Sequence, residues 1–275
     1  MRMIDGDFWT HCPGQKLCKA TAKEVAKSEG YLIRSFRELV EHVAELGYLH
    51  RWRNLLYRGQ RNDRLDRTGG TALHPSIYRP PRGKKTLSAS ELKSRFELLD
   101  LFTDKLRERH YDLTALPGLA RFSEYQLALL QHYDLCPTPL MDLTHSLRVA
   151  ATFALLDYDM AGSSREKGWV YVFGMPHPHG SLSYFMDERI VLLKLQSFCP
   201  PQALRPHFQE GYLTGALPYV PKRQADQSLA RRLVGKYQII NENNEFWGNG
   251  FDPIPPQALL PTDDPFIDEL KSLLV

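Results

Sequence analysis

Apolar positions along this chain recur at helical spacing in some stretches and in continuous or alternating runs in others, and the change marks its elements. Phe36, Leu39, Val40, Val43 and Leu46 share one helical face. Ser35 precedes them as an N-cap with Glu38 three residues on, and Gly47 marks the expected end. A second helix is expected from Ser88 or Ser90 to about residue 110, with Leu92, Phe96, Leu99, Phe102 and Leu106 along it. Ser123 reads as the cap of a third, which carries Tyr125, Leu127, Leu129 and Leu130 into Gln131-His132-Tyr133. Ser146 begins a fourth over 147–156, apolar nearly all round and therefore buried. Strands are expected at 54–60, 140–143, 169–173, 190–195 and 237–240, of which 169–173 and 190–195 are continuous apolar runs of doubly covered strands. Residues 61–90 read as loop, 253–261 as a proline-rich linker and 264–274 as a terminal helix. Residues 1–33 are polar without a clear period and read as an N-terminal extension. Strands and helices interleave irregularly, so the class is α+β.

Composition narrows this picture. With 275 residues, 43% hydrophobic and 24% charged, the chain can bury the core of one large domain. Its net charge of +3 permits nucleic-acid contact without arguing for it. Cys12, Cys18, Cys136 and Cys199 make no C-x-x-C pair and no zinc spacing. The start of the chain shows no secretory apolar region, so the expectation is reduced thiols and a cytoplasmic protein. No segment approaches the ~20 apolar residues of a membrane span.

Four local patterns bear on chemistry. In Tyr57-Arg58-Gly59-Gln60 an arginine ends a strand and a glycine admits close backbone approach. A guanidinium there suits phosphate or carboxylate, or else a surface salt bridge. Gln131-His132-Tyr133 precedes a strand that ends in Asp142 and Thr144; Asp142 is either a ligand contact or a structural cap. Thr144 and Ser146 stand before a small-residue helix whose free N–H groups favour anions, or simply cap it. In 205–212, Gln209 and Glu210 offer an amide and an acid, or a solvated loop.

Together these blocks resemble the FRG domain family. The matching residues are Tyr57-Arg58-Gly59-Gln60, then Leu73-His74-Pro75-Ser76-Ile77-Tyr78-Arg79, then 131–144 followed by Ala151-Thr152-Phe153-Ala154, then Arg205 with Gln209, Gly211 and Tyr212. The resemblance spans 34–215, leaving 216–275 as a C-terminal extension of strand, loop and helix packed on the same domain. Asp134, Pro139, Met141, Leu143 and Tyr212 depart from the family pattern, and Pro139 removes a positive charge.

The same order is similar to the arginine-serine-glutamate class of ADP-ribosyltransferases. That resemblance implies small mixed β-sheets flanked by helices and NAD as substrate. Arg58 would anchor NAD, Thr144 with Ser146 would be the hydroxyl motif, and Gln209 or Glu210 the third catalytic position. Tyr57, Gly59, Gln60, Gln131, His132, Tyr133 and Asp142 would complete the NAD-binding set. The acceptor would be a macromolecule, nucleic acid or protein. The protein would be a bacterial toxin or phage-defence effector, and a toxin implies a neutralising antitoxin partner. Arg51, Trp52, Arg53, Arg61, Arg64 and Arg67 could receive a single strand by charge and stacking, or form a solvated basic loop.

Two other functions compete. A non-catalytic NAD or ADP-ribose binding module would share Arg58 and Thr144 but lack a competent acid. A metal-dependent nuclease would use His132, Asp142 and glutamates, and would need two or more convergent carboxylates around a metal. His177 and His179 lack acidic company, and Glu242 and Glu245 are a late fallback for the acid. No metal is expected.

Overall fold

The first 33 residues, expected to be irregular, form a hairpin, a helix and an edge strand in the computed structural model. The structure describes all residues except 82, 85, 110–117, 158–163, 224, 249 and 275. Strands β1 (Phe8–Cys12) and β2 (Gln15–Ala20) pair antiparallel around Gly14, whose φ of +75° suits glycine. The hairpin sets Cys12 and Cys18 at a Cα separation of 6.0 Å, and they form a disulfide. The expectation of four reduced thiols is thus corrected, because cross-strand proximity makes a pair that a six-residue spacing does not announce. Cys136 and Cys199 stay free and buried. Thr21 and Glu24 build a capping box on α1 (Ala22–Lys27), and β3 (Tyr31–Ile33) follows. This segment buries a few separated apolar groups, among them Met1, Ile4, Ala20, Val25 and Ala26.

Helix α2 (Phe36–Leu49) starts at Ser35, whose hydroxyl accepts the Glu38 N–H. It runs past Gly47 because Val43 and Leu46 are buried and the His50 N–H still reaches the Leu46 carbonyl at 2.8 Å. Strand β4 (Asn54–Gln60) precedes a long loop. Helix α3 (Ala89–Glu108) opens with a Ser88–Glu91 capping box; residue 110, its expected end, lies outside the described residues. In α4 (Ser123–His132) Phe122 occupies the cap position, Ser123 is already helical, and every residue from 124 to 132 is buried. Then come β5 (Met141–Thr144), α5 (Leu147–Leu155) capped by Ser146, β6 (Lys167–Met175), β7 (Leu182–Phe185) and β8 (Ile190–Lys194). Helix α6 (Leu204–Phe208) and β9 (Gly211–Ala216) occupy the stretch with the loop alternative. The chain ends with β10 (Leu233–Ile240), the short α7 (Pro256–Leu259) within the expected linker, and α8 (Pro265–Leu274).

Among the described residues, eight strands make one mixed sheet in the order β3-β10-β6-β4-β5-β9-β8-β7, parallel only between β10 and β3. Helices flank it, as the α+β class requires. Strand β6 is buried on both faces: Val170 and Val172 join Leu39, Val43 and Ala150, whereas Tyr171 and Phe173 join Leu56, Met141 and Leu192. Val191, Leu193 and Leu213 pack instead with residues of α3, α4 and α8.

The sheet has a seam. Strand β4 pairs with β6 from Asn54 to Gln60, and β5 pairs with β9 from Met141 to Thr144. Between β4 and β5 the ladder holds a single residue pair, Tyr57 opposite Thr144. Beyond it the two halves of the sheet part. Helix α5 closes on β4 at Gly59, where a Cβ would lie 1.8 Å from the Ala150 carbonyl oxygen. The close approach expected of a ligand at Gly59 is therefore made by a helix backbone.

Candidate functional site

A cleft of about 1600 Å³ opens where β4 and β5 separate. Arg58, Gly59 and Gln60 line one side, and Asp142, Leu143 and Thr144 the other. Arg58 bridges the seam with its side chain where backbone pairing has stopped: Nη1 donates to the Asp142 carbonyl oxygen at 2.5 Å. Its Nε is buried without a partner among the described residues.

Asp142 is held from behind by the end of α4. Gln131 Nε2 donates to Oδ2 at 2.7 Å, and His132 Nδ1 contacts Oδ1 at 3.2 Å. An ionised carboxylate only accepts, so His132 donates from Nδ1. The Gln131 amide is itself fixed, because its Oε1 accepts from Thr138 Oγ1 at 2.7 Å and Ser76 Oγ at 3.1 Å. The Asp142 side chain is 33% exposed and faces the cleft. Burial alone would raise its pKa, but His132, Arg58 and Gln131 outweigh burial and hold it below the usual carboxylate value. It is therefore ionised at neutral pH.

Cations crowd this carboxylate. Arg79 donates from Nε to the His74 carbonyl at 2.6 Å, and its backbone is pinned by Arg95 Nη1, which donates to the Arg79 carbonyl at 2.7 Å. Burial, then the charges of Arg58 and Arg64, pull the Arg79 pKa down to about 10 against the opposing pull of Asp142. Burial and the nearby Arg223 bring His74 down to about 4. Among the described residues, eight Arg and Lys line the cleft against three Asp. Of the three, Asp134 pairs with Arg205 at 2.8 Å, and Asp66 accepts the Thr68 and Gly70 N–H groups of its own turn. A phosphate-bearing ligand would relieve the repulsion among these cations and find donors shaped for its oxygens.

The expected site residues fall into two groups. Tyr57, Arg58, Gly59, Gln60, Asp142, Thr144 and Gln209 line the cleft. Thr144 Oγ1 donates to the Gln209 carbonyl at 2.7 Å and accepts the Ser146 N–H at 3.0 Å. The Gln209 amide is engaged by the Leu259 carbonyl at 2.6 Å. Glu210, in a left-handed turn with φ of +45°, is outside the lining, and its carbonyl accepts from His145 N–H at 3.3 Å. Ser146 caps α5, Gln131 and His132 stand behind Asp142, and the Tyr133 hydroxyl donates to Asp264 at 3.1 Å, toward α8. His177, His179, Glu242 and Glu245 also lie outside the lining. Arg79, Arg205 and Arg223 line the cleft although the expected NAD-binding set omits them. The first two stand inside the quoted motifs; Arg223 lies in a patternless stretch, and nothing in the sequence announces it.

Among the described residues no group of three or more His, Cys, Asp or Glu is placed to hold a metal ion. No described helix is long and apolar enough to cross a membrane. Comparison with curated proteins gives no significant match, and neither does comparison with solved structures. A family model does match over residues 53–162, narrower than the 34–215 over which the motifs extend. That stretch runs from the start of β4 beyond α5 and so includes Arg58, Arg79, Asp142 and Thr144, whereas Arg205, Gln209 and Arg223 lie beyond it. The matching model is that of the FRG domain, the family the motifs resemble, and it accounts for residues 53–162 of the chain.

Proposed function

We propose that the cleft binds NAD through its pyrophosphate and that the protein transfers the ADP-ribosyl group to a macromolecular acceptor. One observation carries this: Asp142, an ionised carboxylate fixed by Gln131 and His132, faces a cleft crowded with guanidiniums at the seam of the sheet. Arg58 and Arg79 would hold the pyrophosphate, since a guanidinium fork donates parallel bonds to phosphate oxygens. In the reaction the bond between the ribosyl C1′ and the pyridinium nitrogen breaks, and both electrons leave with nicotinamide. Positive charge develops at the ribosyl carbon, where a fixed carboxylate stabilises it. A lone pair of the acceptor closes the new bond to C1′, and the acceptor's proton passes to solvent. Asp142 thereby takes the acid role that motif order gave to Glu210 or Gln209.

A second function, NAD or ADP-ribose binding without turnover, is favoured by those same two residues: the Gln209 amide is engaged by Leu259 and Glu210 is outside the lining. The variant Asp142→Asn separates the two, because it keeps the shape and removes the charge. The expected outcome is NAD binding retained, with transfer and hydrolysis reduced about 10²–10³-fold. NAD bound but left intact by the parent protein would decide for the binding module. An Asp142→Asn variant as active as the parent would remove Asp142 from the chemistry.

A further inference from the structure

We infer that the acceptor is a single-stranded nucleic acid, taken up along a cationic lip formed by Arg64, Arg67 and Arg223 outside the Arg58–Asp142 floor. The word acceptor rests on the transferase function proposed above; the strand-binding surface does not. The whole chain carries a net charge of only +3, yet the described residues of the cleft lining alone hold a surplus of five cations over acids. The rest of the chain therefore sums to about neutral, so the excess of positive charge is accounted for by the cleft. A dinucleotide has two phosphates, which Arg58 and Arg79 already match, so the cations of the lip exceed what NAD needs. The cleft volume of about 1600 Å³ likewise exceeds the roughly 300–1,000 Å³ of small-molecule pockets, which leaves room for a second ligand.

The lip is built rather than loose. Arg64 and Arg67 sit on a turn in which Asp66 Oδ1 accepts from Thr68 N–H at 2.7 Å and Gly70 N–H at 3.2 Å. The turn is closed by the Ala72 N–H on the Arg64 carbonyl at 2.6 Å and by a β-bridge between Leu65 and Thr71. Leu65, 59% exposed between the two arginines in sequence, offers an apolar surface to a base. The opposite contribution, Arg223, comes from a distant part of the chain and lies near enough to His74 to depress its pKa. A duplex cannot deliver a paired base to a carboxylate on the cleft floor, whereas an unpaired nucleotide can.

The test is fluorescence anisotropy of a labelled mixed-sequence oligonucleotide, single-stranded or duplex, titrated with the full chain in the absence of NAD. With three phosphate contacts the log–log salt slope for a single strand is about −2, or roughly 16-fold weaker binding for a fourfold rise in salt. The triple variant Arg64→Ala/Arg67→Ala/Arg223→Ala is expected to lose this binding and flatten the slope. Arg58→Ala is expected to keep it while losing NAD. Duplex bound as tightly as single strand, or a triple variant that binds like the parent, would overturn the inference. Binding of polyglutamate in preference to the oligonucleotide would overturn it in favour of an acidic protein. Failure of the NAD proposal would show separately, as a parent protein that binds the strand but not NAD.

Discussion

Replacing Gly59 with alanine tests how the seam is held. The new Cβ would lie 1.8 Å from the Ala150 carbonyl oxygen and 2.7 Å from the Ala154 nitrogen. Carbon and oxygen settle at about 3.3 Å, so α5 must move by about 1.5 Å. Both obstacles are helix backbone and cannot rotate away. Ala150, Ala151 and Ala154 are fully buried, and a gap of even 0.5–1 Å forfeits about a quarter to a half of each dispersion contact. Overpacking of this kind costs about 1–3 kcal/mol, and the backbone clash places Gly59→Ala at about 3 kcal/mol or more. For a domain of this size that lowers Tm by about 6–12 °C. Thermal and urea melts of Gly59→Ala beside Gly180→Ala measure it, because no atom lies within 4 Å of the Cβ position at Gly180. The control is expected within about 0.5 kcal/mol of the parent. A Gly59→Ala protein that melts with the parent would refute the close packing of α5 on β4.

Three further outcomes are expected. Asp63→Ala removes the partner of buried Lys236 at 2.6 Å and of the Tyr171 hydroxyl at 2.9 Å, and urea melts should show a loss of about 3–5 kcal/mol, partly recovered by adding Lys236→Met. His74, buried and held at about 4 instead of 6.5, binds its proton more readily when unfolded, so its contribution of about 3 kcal/mol is complete above pH 6.5 and is lost as pH falls toward 4. His74→Asn should flatten the stability profile in that window, and an unchanged slope would contradict the burial of the imidazole. Gln131→Met removes a hydrogen bond that favours ionised Asp142, so the acid limb of any NAD-consuming activity should move to higher pH; an unmoved limb would show that Gln131 does not position the carboxylate.

Local signals were the legible ones. Ser35 with Glu38 and Ser146 before its apolar run announced their helices because a cap and its target lie within one turn. Gly47 misled, since buried Leu46 and Val43 carry α2 onward despite a helix-weakening residue. The core role of residues 1–33 was hidden because its apolar groups are few and widely spaced. Gly59 reads as a point where a ligand comes close, but it is the backbone of α5 that approaches, a tertiary fact the sequence does not carry. The seam could not be read at all, because it depends on where a ladder between residues almost ninety apart stops pairing. Arg58, Arg79, Arg205 and Arg223 likewise meet only through the fold, and Asp142 shows its role only once Gln131 and His132 are seen behind it.

Calorimetric titration of NAD into the parent protein and into Arg58→Ala and Arg58→Lys, each checked for folding by circular dichroism, tests the cleft most directly. Arg58 spans the seam, and its buried Nε has no partner among the described residues. The parent is expected to bind NAD, the lysine variant more weakly, and the alanine variant at least about tenfold more weakly, which is about 1.4 kcal/mol. A parent that does not bind NAD, or a folded Arg58→Ala protein that binds it equally well, would contradict the assignment of the cleft.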